Sequence, residues 1–243
     1  VLFQLTLLQV SVTVLAAIVG ALAQSTLGLG FGVVLVPVLA LIAPDQLPAV
    51  PLLLAPILCF AMIRRERGDI DVSGLPPLLV GRVLGTAGGI WLLIVLAGPS
   101  LEVLFGVVIV VVVLISGLRP AVQPTSPAQF LGGVVSGVFG TTAAIGGPPV
   151  AILYQGRPGP EVRSTMAVIY AIGSVLSLIG LVLARRIDRS NVLLSVALLV
   201  PTIIGFAISG PLARALEGRW LRPSILAFAG SAGVLAIFRG LNG

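Results

Sequence analysis

The sequence has no histidine and no lysine, and its single cysteine, Cys59, lies inside an apolar run. These absences exclude a Cys/His zinc site and a disulfide framework. Charge is scarce as well: 14 arginines and 8 acidic residues are 9% of 243 positions, against about a quarter in soluble domains. So few charges can neither cover a water-facing surface nor sustain a long disordered tail. What is abundant is apolar: 58% hydrophobic residues and a mean hydropathy of +1.19, in long runs without alternation. Barrel strands would alternate, so the expected fold class is all-α, a polytopic membrane helix bundle. The 30 glycines and 18 prolines suit membrane helices that pack closely and break. A net charge of +6 and a pI of about 11.2 raise the question of nucleic acid. The arginines, however, sit in short clusters between apolar runs rather than on one polar face, so they read as topology determinants, with the lipid bilayer and no nucleic acid as partner. The first apolar stretch has no basic n-region or small-residue cleavage site, and no cleavable signal is expected.

Apolar segments fall at 5–23, 31–43, 47–63, 73–96, 100–118, 128–140, 147–156, 161–184, 191–212 and 221–240. A crossing helix needs roughly 20 residues, so the stretches from Phe31, Ala128 and Gly147 read as half-helices or re-entrant pieces. Two breaks are rich in glycine and small hydroxyl residues: Gln24 to Gly32, and Gly140 to Pro149. The halves repeat. A shift of 120 places Leu78-Leu79-Val80 on Leu198-Leu199-Val200, Gly85 on Gly205, Ala87 on Ala207 and Arg65 on Arg185, and a shift of 116 places Gly30 on Gly146. Residues 1–119 are the first transmembrane repeat, 120–127 the linker and 128–243 the second repeat. With five segments in each, the second repeat is inverted relative to the first, an arrangement that builds a midplane site from discontinuous helices. Arg64, Arg65, Arg67, Arg119, Arg157, Arg163, Arg214, Arg219 and Arg222 then share one side, against Arg185, Arg186, Arg189 and Arg239 opposite. That division, nine against four, follows the positive-inside rule with both termini outside the cytoplasm; parallel repeats would give eight against five.

Backbone that leaves a helix at membrane depth is tolerated only where it is buried in protein or lines a wet cavity. The breaks therefore mark a candidate substrate site at Gly28, Gly30, Gly32, Gly146, Gly147 and Pro148, where restarting helices at Phe31 and Gly147 aim N–H groups and a positive dipole end at an anion. The other reading is that these glycines only permit close packing. Ser25, Thr26, Thr141 and Thr142 are candidate donors to an oxyanion, although such hydroxyls equally bond back to their own helix or join neighbours. Arg82 stands inside a span that holds no acidic residue. It bonds substrate, bonds the carbonyl ends of a broken helix, or snorkels; the second half has Thr202 in its place. The acidic residues Asp45, Glu66, Asp69, Asp71, Glu102, Glu161, Asp188 and Glu217 all fall near loops or segment ends, which disfavours a carboxylate proton relay and a cation pathway. Without histidine, a membrane carboxylate pair or a ligand cluster, the chain is not expected to be an enzyme or to need a cofactor.

The stretch Gly28-Leu29-Gly30-Phe31-Gly32 with Pro37 and Leu47-Pro48-Ala49 is similar to the first-repeat signature of the TauE/SafE-type sulfite exporter family, also called the toluene sulfonate uptake permease family. Ser136 to Thr142 and Ile145 to Pro149 resemble its second-repeat signature more closely. Where the family's first motif often continues with further glycine, this chain has Val33 and Val34. The resemblance implies transport of sulfite, sulfonates or related organosulfur and carboxylate anions across a bacterial inner membrane, in the export direction. The expected activity is secondary transport of a small anionic substrate by alternating access. Its rivals are a passive anion channel and a non-transporting membrane assembly factor.

Overall fold

The first helix begins at a capping box: Thr6 Oγ1 accepts from Gln9 N–H at 3.3 Å while Gln9 Oε1 accepts from Thr6 N–H at 2.9 Å, satisfying two of the donors a helix start leaves free. A computed structural model describes residues 6–66, 70–96, 99–118, 124–154, 157–216 and 221–242. Among them are ten α-helices and no strand: α1 (Leu7–Leu27), α2 (Phe31–Ile42), α3 (Ala49–Arg65), α4 (Leu75–Val95), α5 (Pro99–Leu118), α6 (Ser126–Ala143), α7 (Gly147–Ala151), α8 (Gly159–Leu183), α9 (Arg189–Leu216) and α10 (Leu221–Asn242). Arg67, Asp69, Arg119, Glu217, Arg219 and residues 120–123 of the linker lie outside the described residues.

The two breaks are shorter than the sequence suggests. The helix runs through Leu27 in the first and through Ala143 in the second, leaving three residues in each, 28–30 and 144–146. Within these last turns Thr26 and Thr142 turn their hydroxyls to carbonyls of their own helix, Leu22 and Val138, at 2.9 and 2.8 Å, a bond that hydroxyls in a helix commonly make. α6 has 18 residues, about 27 Å at 1.5 Å per residue, and is longer than the half-helix expected from Ala128. Only α2, with 12 residues, and α7, with five residues and a 3₁₀ turn at Ile152–Tyr154, are short. The first break needs glycine: Gly28 ends α1 at φ 79° and Gly30 stands at φ 140°, regions that side chains rarely enter.

Contacts at the two ends of the bundle fix the direction of every helix. At one end, which we call the Glu66 end, Glu66 accepts from Arg163 of α8 and Asp71 N–H donates to Thr165 Oγ1. At the other, the Asp188 end, Asn191 donates to Gln46, Arg186 to Leu96 O and Arg239 to Leu41 O. Thus α3, α5 and α9 run towards the Glu66 end and α4, α8 and α10 away from it. α1 lies parallel to α9, Gly205 meeting Ile18 and Ala21, and α2 returns to the Asp188 end where it began. The α6–α7 pair mirrors this from the opposite side. α6 follows α4 away from the Glu66 end, Gly81, Gly85 and Gly89 meeting Phe130, Val134 and Thr141 in turn. α7 and its 3₁₀ turn come back to place Tyr154 beside Gly74.

The bundle has an apolar outside, with Val80, Leu84, Trp91, Ile179 and Val182 exposed, and polar groups inside, Gln24, Arg82, Ser136 and Ser174 among them. α1, α4, α8 and the 100–117 and 189–210 stretches of α5 and α9 are each long and apolar enough to cross a bilayer. This distribution suits lipid as the solvent.

Candidate functional site

The two breaks meet. A Cβ on Gly32 would overlap the carbonyl oxygen of Ala144, so the first turn of α2 and the second break share one contact that only glycine permits. Around that contact lies a cavity of about 60 Å³, bordered by Gln24, Gly30, Gly32, Cys59, Arg82, Gly146, Gly147, Pro148, Tyr170 and Ser174. At roughly 10–15 Å³ for each water position, it has room for a few waters or one small oxyanion. It is far too small for a nucleotide.

Arg82 is 3% exposed. Its Nη1 donates to Ser136 O at 2.9 Å and also to Ser136 Oγ, and that hydroxyl donates onward to Gly146 O at 2.6 Å. An arginine has five N–H donors, and Nη1 carries two. Nε has no acceptor, and among the described residues no bond from Nη2 joins it. The space for the guanidinium is cut by three glycines: a Cβ on Gly140, Gly146 or Gly173 would run into it. Burying a lone charge costs several kcal/mol unless it is paired, and among the described residues no carboxylate borders the cavity. What the arrangement can do chemically is hold an anion.

The first restart adds to this. Phe31 N–H donates to Gln24 Oε1 at 3.2 Å, leaving Gly32 and Val33, both at the cavity, with first-turn N–H groups that have no acceptor inside the helix. The second restart offers less than the sequence reading supposes, because α7 is five residues long and Pro148 and Pro149 have no N–H.

The sequence-derived candidates divide by place. Gly30, Gly32, Arg82, Gly146, Gly147 and Pro148 border the cavity. Gly28 lies outside it, where a Cβ would stand 3.4 Å from Arg163 Cα. Ser25 gives its carbonyl to Arg65 Nη2 at 2.5 Å, and its buried hydroxyl has no partner. Thr26 and Thr142 bond to their own helices, and Thr141 Oγ1 joins Ser177 Oγ of α8 at 2.7 Å. Thr202 likewise turns to Leu198 O. Residues that the sequence reading does not single out are Gln24, Ser136, Cys59, Gly140, Gly173 and Ser174. Of these only Gln24, a lone amide in an apolar helix just before a Gly-rich break, carries a local signal.

The family model for the sulfite exporter TauE/SafE matches residues 12–236, nearly the whole chain. The chain belongs to the TauE/SafE family. No curated protein and no solved structure matches it. Membership of TauE/SafE, with apolar helices of spanning length, makes this a multi-pass membrane protein of a family of exporters, which move their substrate rather than convert it.

Proposed function

We propose that the protein is a secondary carrier of small sulfur oxyanions, sulfite or an organosulfonate, which bind at Arg82 between the two helix breaks. The observation that carries this reading is the guanidinium itself: buried, without a counter-charge, with donors free on Nε and Nη2, and facing a cavity of anion size. Two or three charge-assisted bonds there, together with the Gly32 and Val33 N–H groups, would offset the desolvation of one anion.

Alternating access draws support from the helix directions. Taken as units, α1–α5 and α6–α10 run oppositely at every step, and their partners correspond: α4 on α6 answers α9 on α1, while α3 meets α8 and α5 meets α10. The glycine contacts correspond too, Gly85 on Val134 O and Gly205 on Ile18 O. Asp71 and Asp188 accept alike from the hydroxyl two residues on, Ser73 Oγ in the turn before α4 and Ser190 Oγ in the first turn of α9. These parallels favour two inverted repeats, 1–119 and 128–243, rocking about the cavity. The arginine division favours a bacterial inner membrane orientation with the Glu66 end in the cytoplasm.

The test is a thermal-shift screen of the detergent-solubilised protein against sulfite, sulfate, thiosulfate, a sulfonate and small carboxylates. An anion at a hundred times its Kd stabilises the protein by about 2.7 kcal/mol. A shift confined to sulfur oxyanions and lost in Arg82→Ala is expected. A shift of the same size in a folded Arg82→Ala protein would reject the site.

A further inference from the structure

We infer that the protein works as an obligatory anion exchanger, in which a counter-anion must occupy the Arg82 cavity before the carrier can return. This rests on the carrier reading above and extends it to what neutralises the site on the return step.

The empty site carries a fixed positive charge. A guanidinium does not give up its proton in a protein, so the site has no neutral empty form of the kind a lysine or a histidine allows. The chain supplies no internal counter-ion either. Of the described carboxylates, Glu66 is held by Arg65 and Arg163 and Glu161 by Arg157. Asp71 is occupied by the turn that precedes α4 and Asp188 by the start of α9, and Asp45 by Gln46. Glu102 sits in the first turn of α5. All stand at the two ends of the bundle, and none borders the cavity around Arg82. Its lining is neutral there: Cys59, Tyr170, Ser174 and glycine backbone.

In either open state, water reaches the guanidinium and solvates Nε and Nη2. To turn round, a carrier passes through a state in which both ends are closed and that water is withdrawn. With an anion bound, the charge is paired during the passage. With the site empty, Nε and Nη2 face no acceptor among the described residues. The loaded carrier therefore turns faster than the empty one, and flux out depends on an anion coming in. A coupled proton or cation cannot substitute, because either would add to the positive charge. The counter-anion is a halide or a small oxyanion, set by the same cavity and the same donors.

The experiment uses the whole protein in liposomes loaded with ³⁵S-sulfite, with equal potassium on both sides and valinomycin to hold the membrane potential at zero. The outside anion is sulfite, chloride or gluconate, the last too large for the cavity. Efflux into sulfite or chloride at least tenfold faster than into gluconate is the expected result. Efflux as fast into gluconate would overturn the exchange while leaving the carrier intact. Absence of efflux into all three media would overturn the carrier reading and the exchange with it.

Discussion

Gly173→Ala separates the proposed anion site from the stability of the fold. A Cβ at this position in α8 would stand 2.5 Å from both Cζ and Nη2 of Arg82 and closer still to Nε. Ordinary contact is about 3.5 Å, so something must move by about 1 Å. What meets the new methyl is the free end of a long side chain, not backbone, and the guanidinium is therefore what yields. Alanine also favours a helix interior over glycine by about 0.5–1 kcal/mol, so the helix itself loses nothing. Displacing the guanidinium by this distance forfeits at least one charge-assisted bond to the anion, worth about 1.5–3 kcal/mol, or roughly 10- to 150-fold in affinity. Isothermal titration with sulfite, beside a melting curve without anion, reads both quantities. The expected pattern is a melting temperature unchanged or raised, with affinity lowered at least tenfold. Unaltered sulfite affinity in Gly173→Ala would refute the placing of the anion at Arg82.

The contrasting substitutions are Gly81→Ala and Gly133→Ala, whose Cβ atoms would strike the carbonyl oxygens of Phe130 and Leu78 across the α4–α6 interface. Backbone cannot step aside as a side chain can, and each should cost about 1–3 kcal/mol, seen as a lower melting temperature without anion. Arg82→Lys keeps the charge but has no planar fork to serve Ser136 and an anion together; sulfite affinity should fall at least tenfold in a protein that still inserts and elutes as the wild type does. At the bundle ends, hydroxyl bonds from Ser73 and Ser190, joined by backbone N–H groups, hold the Asp71 and Asp188 carboxyls below the ordinary carboxylate value. Their stabilisation is present above that ordinary value, about 3.9, and is lost as pH falls through the lowered one. The double variant Asp71→Asn, Asp188→Asn should accordingly melt with a shallower dependence on pH on the acid side of 4, and an unchanged acid slope would count against these bonds.

Much of the architecture is legible because lipid constrains the chain so tightly. Segment ends marked by Arg64, Asp71, Arg185 and Asp188 fall where helices end, since charge is expensive anywhere else. Arg82 is conspicuous for the same reason: it is a charge inside a span with no acidic residue to excuse it. The hydroxyl groups are not legible. Thr26, Thr142 and Thr202 each have a carbonyl of their own helix within reach, and sequence cannot tell whether the hydroxyl takes that bond or a ligand. Gly140 and Gly173 are hidden for a different reason. In a chain with 30 glycines, those that clear room for a guanidinium look like those that let Gly85 and Gly205 approach a neighbouring helix, and only the arrangement of α4, α6 and α8 distinguishes them.

The same 116-residue shift that places Gly30 on Gly146 places Gln24 on Gly140 and Gly20 on Ser136, and the positions so paired do unlike work. In the first half Gln24 holds its own break together, its Oε1 accepting from Phe31 N–H at 3.2 Å and its Nε2 donating to Gly28 O at 3.4 Å. A side chain at Gly140 would collide with Arg82, so the second break is held from another quarter: Ser136 Oγ donates to Gly146 O and accepts from Arg82. Arg82 is thus tied to the break it faces. Ser136→Ala removes the hydroxyl that joins them, leaving Gly146 O unsatisfied at a cost of about 1–3 kcal/mol and freeing one further N–H of Arg82. Gln24→Ala should cost a similar amount at the first break without touching the guanidinium. Both variants should therefore melt lower than the wild type, but only Ser136→Ala should alter the sulfite dissociation constant beyond what the lost stability explains. Equal effects of the two on sulfite binding would mean that the breaks shape the cavity and that Arg82 is not coupled to the second of them.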